Sequence, residues 1–395
     1  MPESEKIGIF TPMITLEEFE LLRSDEVRRA VAANIGRDAA EVALDRRVPH
    51  ARLVATQVKY LARAATKLPS FAAAQCILPP RAFEQASSEA CAAHKRIEGE
   101  AVLDLTCGLG VDALALSRRF RRVTALERDP VLARITAHNL RLLGVDNVEV
   151  ACASAEEFLA RTTDRFDWVY ADPDRRSDAG RKLVLLEECS PDVLRLRPAI
   201  ERAAPRFCLK CSPLFDVDEA FRLFGACEVE VVSLNDECKE VVVRTGCDVP
   251  RIAAAAVGRG GFSLPRADVD NAPCRKEFDP ARYGWLVVPD VALRKARLTC
   301  ACLGGRVDLW SNDGYGFAAE HPGELLGSVF AVERIEPYDP SRLRRALRGR
   351  RAEILKRDFP WPAAEIARRI GVREGGGLRL AFTRIAGRFW TIWLK

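Results

Sequence analysis

The stretch DLTCGLGVD, Asp104 to Asp112, constrains this chain more than any other, because it follows a short apolar run and opens a segment of helical length. A strand that ends on an acid, then turns through glycines into a helix, presents unpaired backbone N–H groups where no side chain stands in the way. Gly108 and Gly110 would let a ligand approach that backbone closely. Around it, AVLDL, RVTALE, VEVACA, FDWVYAD and RFCLKCS read as buried strands, separated by helical segments beginning near Val111, Pro130, Ser154 and Glu187. That alternation predicts a parallel sheet covered by helices on both faces. A helix near Asp216 to Phe224 precedes two further runs, EVEVVSL and EVVVRT, which NDECK would join as a hairpin at the end of the sheet.

With 395 residues the chain is long enough for two to four compact units. Residues 1–97 read as a helical domain: Leu53, Val54, Val58, Leu61 and Ala65 recur at helical spacing, and Pro79-Pro80 separates a last helix through FEQASSEACAAHKR. Residues 98–247 hold the alternating sheet domain. A small mixed α+β domain with weakly marked strands follows at 248–323, and a basic domain closes the chain at 324–395. In the last, Asp339-Pro340-Ser341 is a good helix start and LRLAFTRI with RFWTIWLK a hairpin around Ala386-Gly387.

Composition excludes several classes. Apolar residues at 48% and charged residues at 30% fit globular cores and not a disordered chain. No run approaches the ~18 apolar residues of a membrane helix, and MPESEKIGIF lacks the pattern of a secretory signal, so a cytoplasmic location is expected. The thirteen cysteines, an odd and scattered set, fit reduced thiols, and without paired ligands at zinc spacing no metal is expected. Cys208, Cys211 and Cys238 read as buried, inert thiols. Net charge is +5, yet Glu320 to Lys395 alone carries +7, leaving −2 for everything before it. Arg342 to Arg357 holds eight basic residues in sixteen positions, which a helix could present to phosphates or simply to water.

Three acidic positions frame the chemistry. Asp104, four residues before Gly108, would repel a pyrophosphate but can hold an ammonium, directly or through water, which favours S-adenosylmethionine over the nicotinamide cofactor that GLGVDA also permits. Glu127 ends the next strand, where a carboxylate can accept both ribose hydroxyls. Asp172-Pro173 follows the fourth strand, at the carboxyl edge where open α/β sheets bind ligands.

This motif order resembles the class I S-adenosylmethionine-dependent methyltransferases, with their Rossmann-like seven-stranded sheet. QASSEACAAHKR, DLTCGLGVD, ADPDRR, LEECSPD, LKCSPLFD and SLNDECKE are similar to a bacterial family with a THUMP-like C-terminal domain, and RDFPWPAAEIARRIGVREGGG looks like part of that domain. The resemblance implies that Asp104, Thr106, Gly108 and Gly110 surround the methionine part of the cofactor, Glu127 and Arg128 the ribose, and Ser154 and Ala155 the adenine. Gln85, Ser87, Ser88 and Glu89 resemble the stretch preceding the first motif in cap-guanosine N2-methyltransferases, which implies that this stretch closes over the cofactor, with Ser88 the cofactor-binding candidate.

Amino-directed nucleic-acid methyltransferases follow Asp/Asn-Pro-Pro with a stacking aromatic residue, whereas this chain reads Asp172-Pro173-Asp174-Arg175-Arg176. Asp172 and Pro173 are the catalytic candidates. Arg175, Arg176, Asn235 and Lys239 are the substrate-binding ones, against the alternatives of surface ions and a polar hairpin turn. Trp361, Phe389, Trp390 and Trp393 fit core packing better than base stacking. The expected activity is methylation of RNA, tRNA or rRNA. Open alternatives are a small-molecule or protein substrate, and an RNA-binding protein without turnover. Oligomeric state is left open.

Overall fold

The computed structural model describes residues 14–175, 185–269 and 277–395, in two compact units. The first runs to Leu214 and takes in Arg244–Gly246, and the second comprises Phe215–Val243 and Cys247–Lys395.

The first unit begins with α1 (Leu16–Arg23), α2 (Asp25–Asn34), α3 (Ala39–Leu44), α4 (Ala51–Lys67), α5 (Pro69–Ala73), α6 (Pro80–Gln85) and α7 (Glu89–His94). Side-chain caps start the early ones: Thr15 makes a reciprocal box with Glu18, and Ser24 and Asp38 accept amides of α2 and α3. The helix expected across residues 83–96 is broken, because Ala86 and Ser87 are extended or bent and Ser88 caps α7 instead of continuing α6. Two buried amides clamp the segment before α6. Gln57 accepts the Leu78 N–H at 2.9 Å, and Asn139 accepts from and donates to Ile77 at 2.9 and 2.8 Å.

Five parallel strands follow, β1 (Gly99–Asp104), β2 (Phe120–Glu127), β3 (Val148–Cys152), β4 (Trp168–Ala171) and β5 (Arg206–Cys211), in the order β5-β4-β1-β2-β3. They alternate with α8 (Val111–Ser117), α9 (Pro130–Leu142), α10 (Ala155–Arg161) and α11 (Val193–Ala203). The helix expected from Glu187 starts six residues later. Residues 186–188 make one 3-10 turn, Cys189-Ser190 pair with Asp174-Arg175, and Asp192 caps α11. The N-terminal helices are not a separate domain, since Val54, Val58 and Leu61 share one core with Leu109, Leu114, Ile135 and Leu140 of the sheet region.

The second unit opens with α12 (Val217–Phe224), β6 (Cys227–Leu234), β7 (Glu237–Thr245, its last two residues counted with the first unit), β8 (Arg251–Ala256) and β9 (Gly260–Pro265), ordered β9-β8-β6-β7. The expected hairpin is present: Asn235 and Asp236 have φ of 55° and 59°, the two left-handed positions of a tight turn whose twist matches its strands. The boundary expected near residue 248 is crossed by β8, which pairs in parallel with β6. An eight-stranded sheet then spans β10 (Trp285–Pro289), β11 (Asp308–Leu309), β12 (Gly316–Ala318), β13 (Gly327–Pro337), β14 (Arg351–Lys356), β15 (Arg373–Glu374), β16 (Leu378–Ile385) and β17 (Arg388–Leu394), ordered β11-β12-β10-β13-β17-β16-β14-β15. The division expected at residue 323 is crossed too. Residues Gly327–Ala331 of β13 pair with β10, and Val332–Pro337 pair with β17 beyond an irregularity between Val332 and Arg334.

Two short helices, α13 (Val291–Lys295) and α14 (Thr299–Leu303), follow β10. In that sheet Leu380, Phe382 and Trp393 pack beneath α15 (Pro340–Leu347) and α16 (Ala363–Ile370), while Ala381, Trp390, Ile392 and Leu394 fill the other face with Tyr283 and Phe317. Trp361 and Phe389 pack against the first cluster, so all four expected aromatics serve the cores. α15 starts on Asp339 with Pro340 in its first turn, but the arginine-rich run leaves the helix after Leu347 and continues as β14. Among the described residues no helix is long and apolar enough to cross a membrane, and no group of three or more His, Cys, Asp or Glu is placed to hold a metal.

Candidate active site

In the first unit, the carboxyl ends of β1, β2 and β4 open onto a cavity of about 530 Å³, a size typical of small-ligand sites. Its wall includes Gln85, Ser87, Thr106, Gly108, Asp112, Glu127, Arg128, Ser154, Ala155 and Asp172, and among the described residues no aromatic ring. α6 and the clamped segment before it supply Pro79, Arg81, Ala82 and Gln85.

Asp104 lies behind that wall, fully buried at the end of β1. One carboxylate oxygen accepts the Thr106 N–H at 2.9 Å and faces its hydroxyl at 3.4 Å, and the other is buried with no hydrogen-bond partner. Burial, with the charges of Asp112 and Asp172 adding to it, pushes this carboxyl up to about 8. An orphaned acceptor of this kind is what a ligand cation would satisfy.

Gly108 and Gly110 both take left-handed φ, 53° and 86°. A Cβ at Gly110 would stand 2.7 Å from Thr136 Cγ2, so this glycine lets α9 pack against the turn. At Gly108, a wall residue, an added Cβ would find open space, its nearest neighbour being Thr106 O at 4.0 Å. Glu127 accepts the amides of Gly108 at 3.1 Å and Asp129 at 2.8 Å, one on each oxygen. Each oxygen keeps a lone pair for a ligand hydroxyl. Burial raises its carboxyl above the ordinary range, against those two amides.

The remaining sequence candidates divide. Ser154 caps α10 in a reciprocal box with Glu157, and Arg128 donates to Ser190 at 3.1 Å. Ser88 is not on the cavity wall. Its hydroxyl accepts the Cys91 N–H at 3.3 Å, and the wall position belongs to Ser87. Asp172 lies on the wall and its N–H donates to the Thr106 hydroxyl at 2.7 Å, but Pro173 is not among the lining residues. Arg175 is in the short strand paired with Cys189-Ser190, and Arg176 lies outside the described residues. Asn235 occupies the β6–β7 turn of the second unit, and Lys239 pairs with Glu237 at 2.6 Å.

Other functional groups carry no motif. The Lys210 ammonium makes an ion pair with Asp172. Lys95, 2% exposed, pairs with Asp112 at 2.6 Å, while Ser87 donates to the same carboxylate at 2.8 Å. Burial opposes ionisation of Asp112, but Lys95 and Lys210 hold it down to about 2. Gln85 donates to Asp174 at 3.1 Å. The one usable signal was a lysine inside an otherwise apolar buried run, RFCLKC. The wall thiol, Cys107, is buried and raised well above its ordinary range, first by burial and then by Asp104 and Glu127. Cys211 is likewise raised by burial, and Cys238 to about 11.

Residues 83–188 match the family described as conserved hypothetical protein 95, and residues 327–395 the one described as THUMP domain-like. The chain is 30% identical over 338 residues, 82% of its length and 90% of the other's, to an uncharacterized S-adenosylmethionine-dependent methyltransferase of Mycobacterium tuberculosis. It is 29% identical over 203 residues, 48% of its length and 45% of the other's, to the 23S rRNA (uracil(1939)-C(5))-methyltransferase RlmD of Vibrio parahaemolyticus. A candidate methyltransferase from Porphyromonas gingivalis W83 has the same fold, with a TM-score of 0.80 across 97% of this chain and 99% of that one at 23% identity.

Proposed function

The chain belongs to the S-adenosylmethionine-dependent methyltransferases, and from that premise we propose that it methylates RNA, with its basic C-terminal region presenting the substrate. It is an enzyme and its cofactor is S-adenosylmethionine. The bound cofactor supplies a methyl group on a sulfonium, ready for a nucleophile. The residues at and just behind the cavity wall fit such a group: the orphaned oxygen of Asp104, behind the wall, suits its ammonium, the two remaining lone pairs of Glu127 its ribose hydroxyls, and bare Gly108 the close approach between them. Ser154 and Ala155 would border the base.

Asp172 would face the acceptor, and its surroundings show how it is held. Thr106 accepts its N–H, and Lys210 pairs with its carboxylate, so both ends of the residue are fixed before substrate arrives. A carboxylate so placed can accept a hydrogen bond from the acceptor's N–H or O–H, orienting its lone pair, and take the proton as the new bond makes it acidic. Burial holds the Cys107 thiol well above its ordinary range, so it is poorly suited to act as a nucleophile. Replacing Lys210 with Met is expected to lower kcat by about 10- to 100-fold while cofactor affinity stays within about twofold, since only positioning is lost. Equal loss of both would show that Lys210 shapes the cavity instead.

What supports RNA is the charge distribution: +7 on residues 320–395 against −2 on the rest, in a region that matches the THUMP domain-like family. The RlmD relative, an rRNA methyltransferase by name, points the same way. The test is incubation of the enzyme and methyl-labelled cofactor with total RNA, protein extract and metabolites from cells lacking the gene. Label in nuclease-sensitive material is expected. Label in protein or metabolites, with RNA blank, would replace RNA by one of those acceptors.

A further inference from the structure

Of the sixteen cations of residues 320–395, twelve fall into two sets, with Lys356, Arg357, Arg388 and Lys395 outside both. Arg368 and Arg369 pair with Glu365, Arg379 with Glu353, Arg384 with Asp358, and Arg334 and Arg342 with Glu336. These six share five carboxylates, counting Glu333 beside Arg334, so most of their charge is offset where they stand. Arg344, Arg345, Arg348, Arg350, Arg351 and Arg373 are all exposed, and among the described residues none has a carboxylate within ion-pair distance.

The fold gathers this second set. Arg344 and Arg345 lie in the last turn of α15, Arg348 caps it, and Arg350 and Arg351 lead into β14. β15 brings Arg373 into register with Arg351, and the two loops are stitched by Gly349 N–H to Gly371 O at 3.0 Å and Arg373 N–H to Arg350 O at 2.9 Å. Glycines make the approach possible. A Cβ on Gly371 would come within 3.3 Å of Arg344 Cγ, and one on Gly376 within 2.8 Å of Arg351 Cβ. Across residues 344–351 and 371–377 there are six arginines and one acid, Glu374. The helix C-terminus accounts for cations at positions 344 and 345, but not for Arg350, Arg351 or Arg373, which lie beyond it.

We infer that these six arginines form one binding face for the phosphate backbone of RNA, and that the ion-paired arginines of the same region take no part. The inference rests on RNA being the substrate. Guanidinium groups without internal partners can fork onto successive phosphates, and the counterions released make binding steeply salt-dependent. The face differs from the run visible in the sequence: Arg342 drops out to Glu336, and Arg373 joins from the GVREGGG segment.

The test uses the full chain, a fluorescent tRNA transcript, and anisotropy titrations at several salt concentrations. One variant carries Arg344→Glu, Arg348→Glu and Arg351→Glu. A control carries Arg368→Glu, Arg369→Glu and Arg384→Glu, the same change of net charge at paired sites. Cofactor affinity of each reports that it is folded. The face variant is expected to bind at least about 30-fold more weakly, with its log affinity against log salt slope shallower by about 2 to 3, and the control to stay within about fivefold of the parent. Equal losses in both variants, or none in the first, would overturn the assignment of the face while leaving RNA as substrate. A parent chain that binds no RNA but binds phosphatidylglycerol vesicles would overturn the RNA substrate and the inference together.

Discussion

The cofactor cavity and the arginine face both depend on charge, but they handle it in opposite ways. Around the cavity the innermost ionisable groups are individually committed, Lys95 to Asp112, Lys210 to Asp172, and Asp104 behind the wall with one oxygen waiting, while Arg81, Arg128 and Glu156 stand exposed on its wall. On the face they are six of one sign, exposed and without internal partners. Buried charges act with little screening, so each is close to all-or-none. Exposed ones share the work and answer to salt. The cavity should therefore fail at single substitutions, and the face only by degrees.

The contrast is sharpest at Lys95. Lys95→Met leaves the Asp112 carboxylate buried without its counter-charge and is expected to cost about 3–5 kcal/mol, read as a drop in the urea midpoint at constant slope. Adding Asp112→Asn should restore most of the loss. A stable single variant would break the idea that the cavity charges are individually committed.

Next comes Asp104→Asn, expected to weaken S-adenosylmethionine binding by about 100-fold in calorimetry. The same variant carries a pH signature. Because the folded-state carboxyl lies near 8, above its unfolded value of 3.8, its contribution to stability is full below 3.8 and fades as pH rises towards 8. The Asn variant without cofactor should thus gain on the parent across that window, by a few degrees in Tm. A parent whose advantage grew with pH would contradict the burial of Asp104.

Gly110→Ala is expected to cost about 1–3 kcal/mol, combining the left-handed φ with the clash against Thr136, and to weaken cofactor binding in step. The smallest effect belongs to the face. Arg345→Ala should reduce RNA affinity only about threefold, more at low salt than at high, and Arg369→Ala should change it less still. A single face residue worth 100-fold would erase the distinction between the two regions.

Much of the sheet was legible because strands buried on both faces read as continuous apolar runs, and β1 to β7 stand where the apolar runs are, although β3, last in the sheet order, is not buried as expected. β8 was not, since RIAAAA consists of weak strand formers that are extended only because β6 and β9 flank them. β14 was hidden because the arginines of α15 continue through Arg348 and Arg350 to Arg351, the first residue of the strand. At the site, Gly108, Glu127 and Asp172 stand at strand ends and turns that sequence spacing locates, while Thr106 and Ser154 were marked by the family resemblance. Lys95 and Lys210 were not so located, because their partners lie 17 and 38 residues away and pairing at that range is set by packing, whereas Ser87 belongs to the stretch that the family resemblance had marked. The helix expected through residues 83–96 failed for the same reason, as Ser87 is drawn to Asp112.

β13 bears on how such proteins can be assembled from parts. The segment that matches the THUMP domain-like family begins at residue 327, at the first residue of a strand whose first half pairs with β10, upstream of the match. A gene fusion cut at that point would leave β10 with a bare edge and strip the aromatic cluster of Tyr283, Phe317 and Trp390 of half its members. The heritable module is longer than the recognisable one, and any transplant of this region has to start upstream of β10.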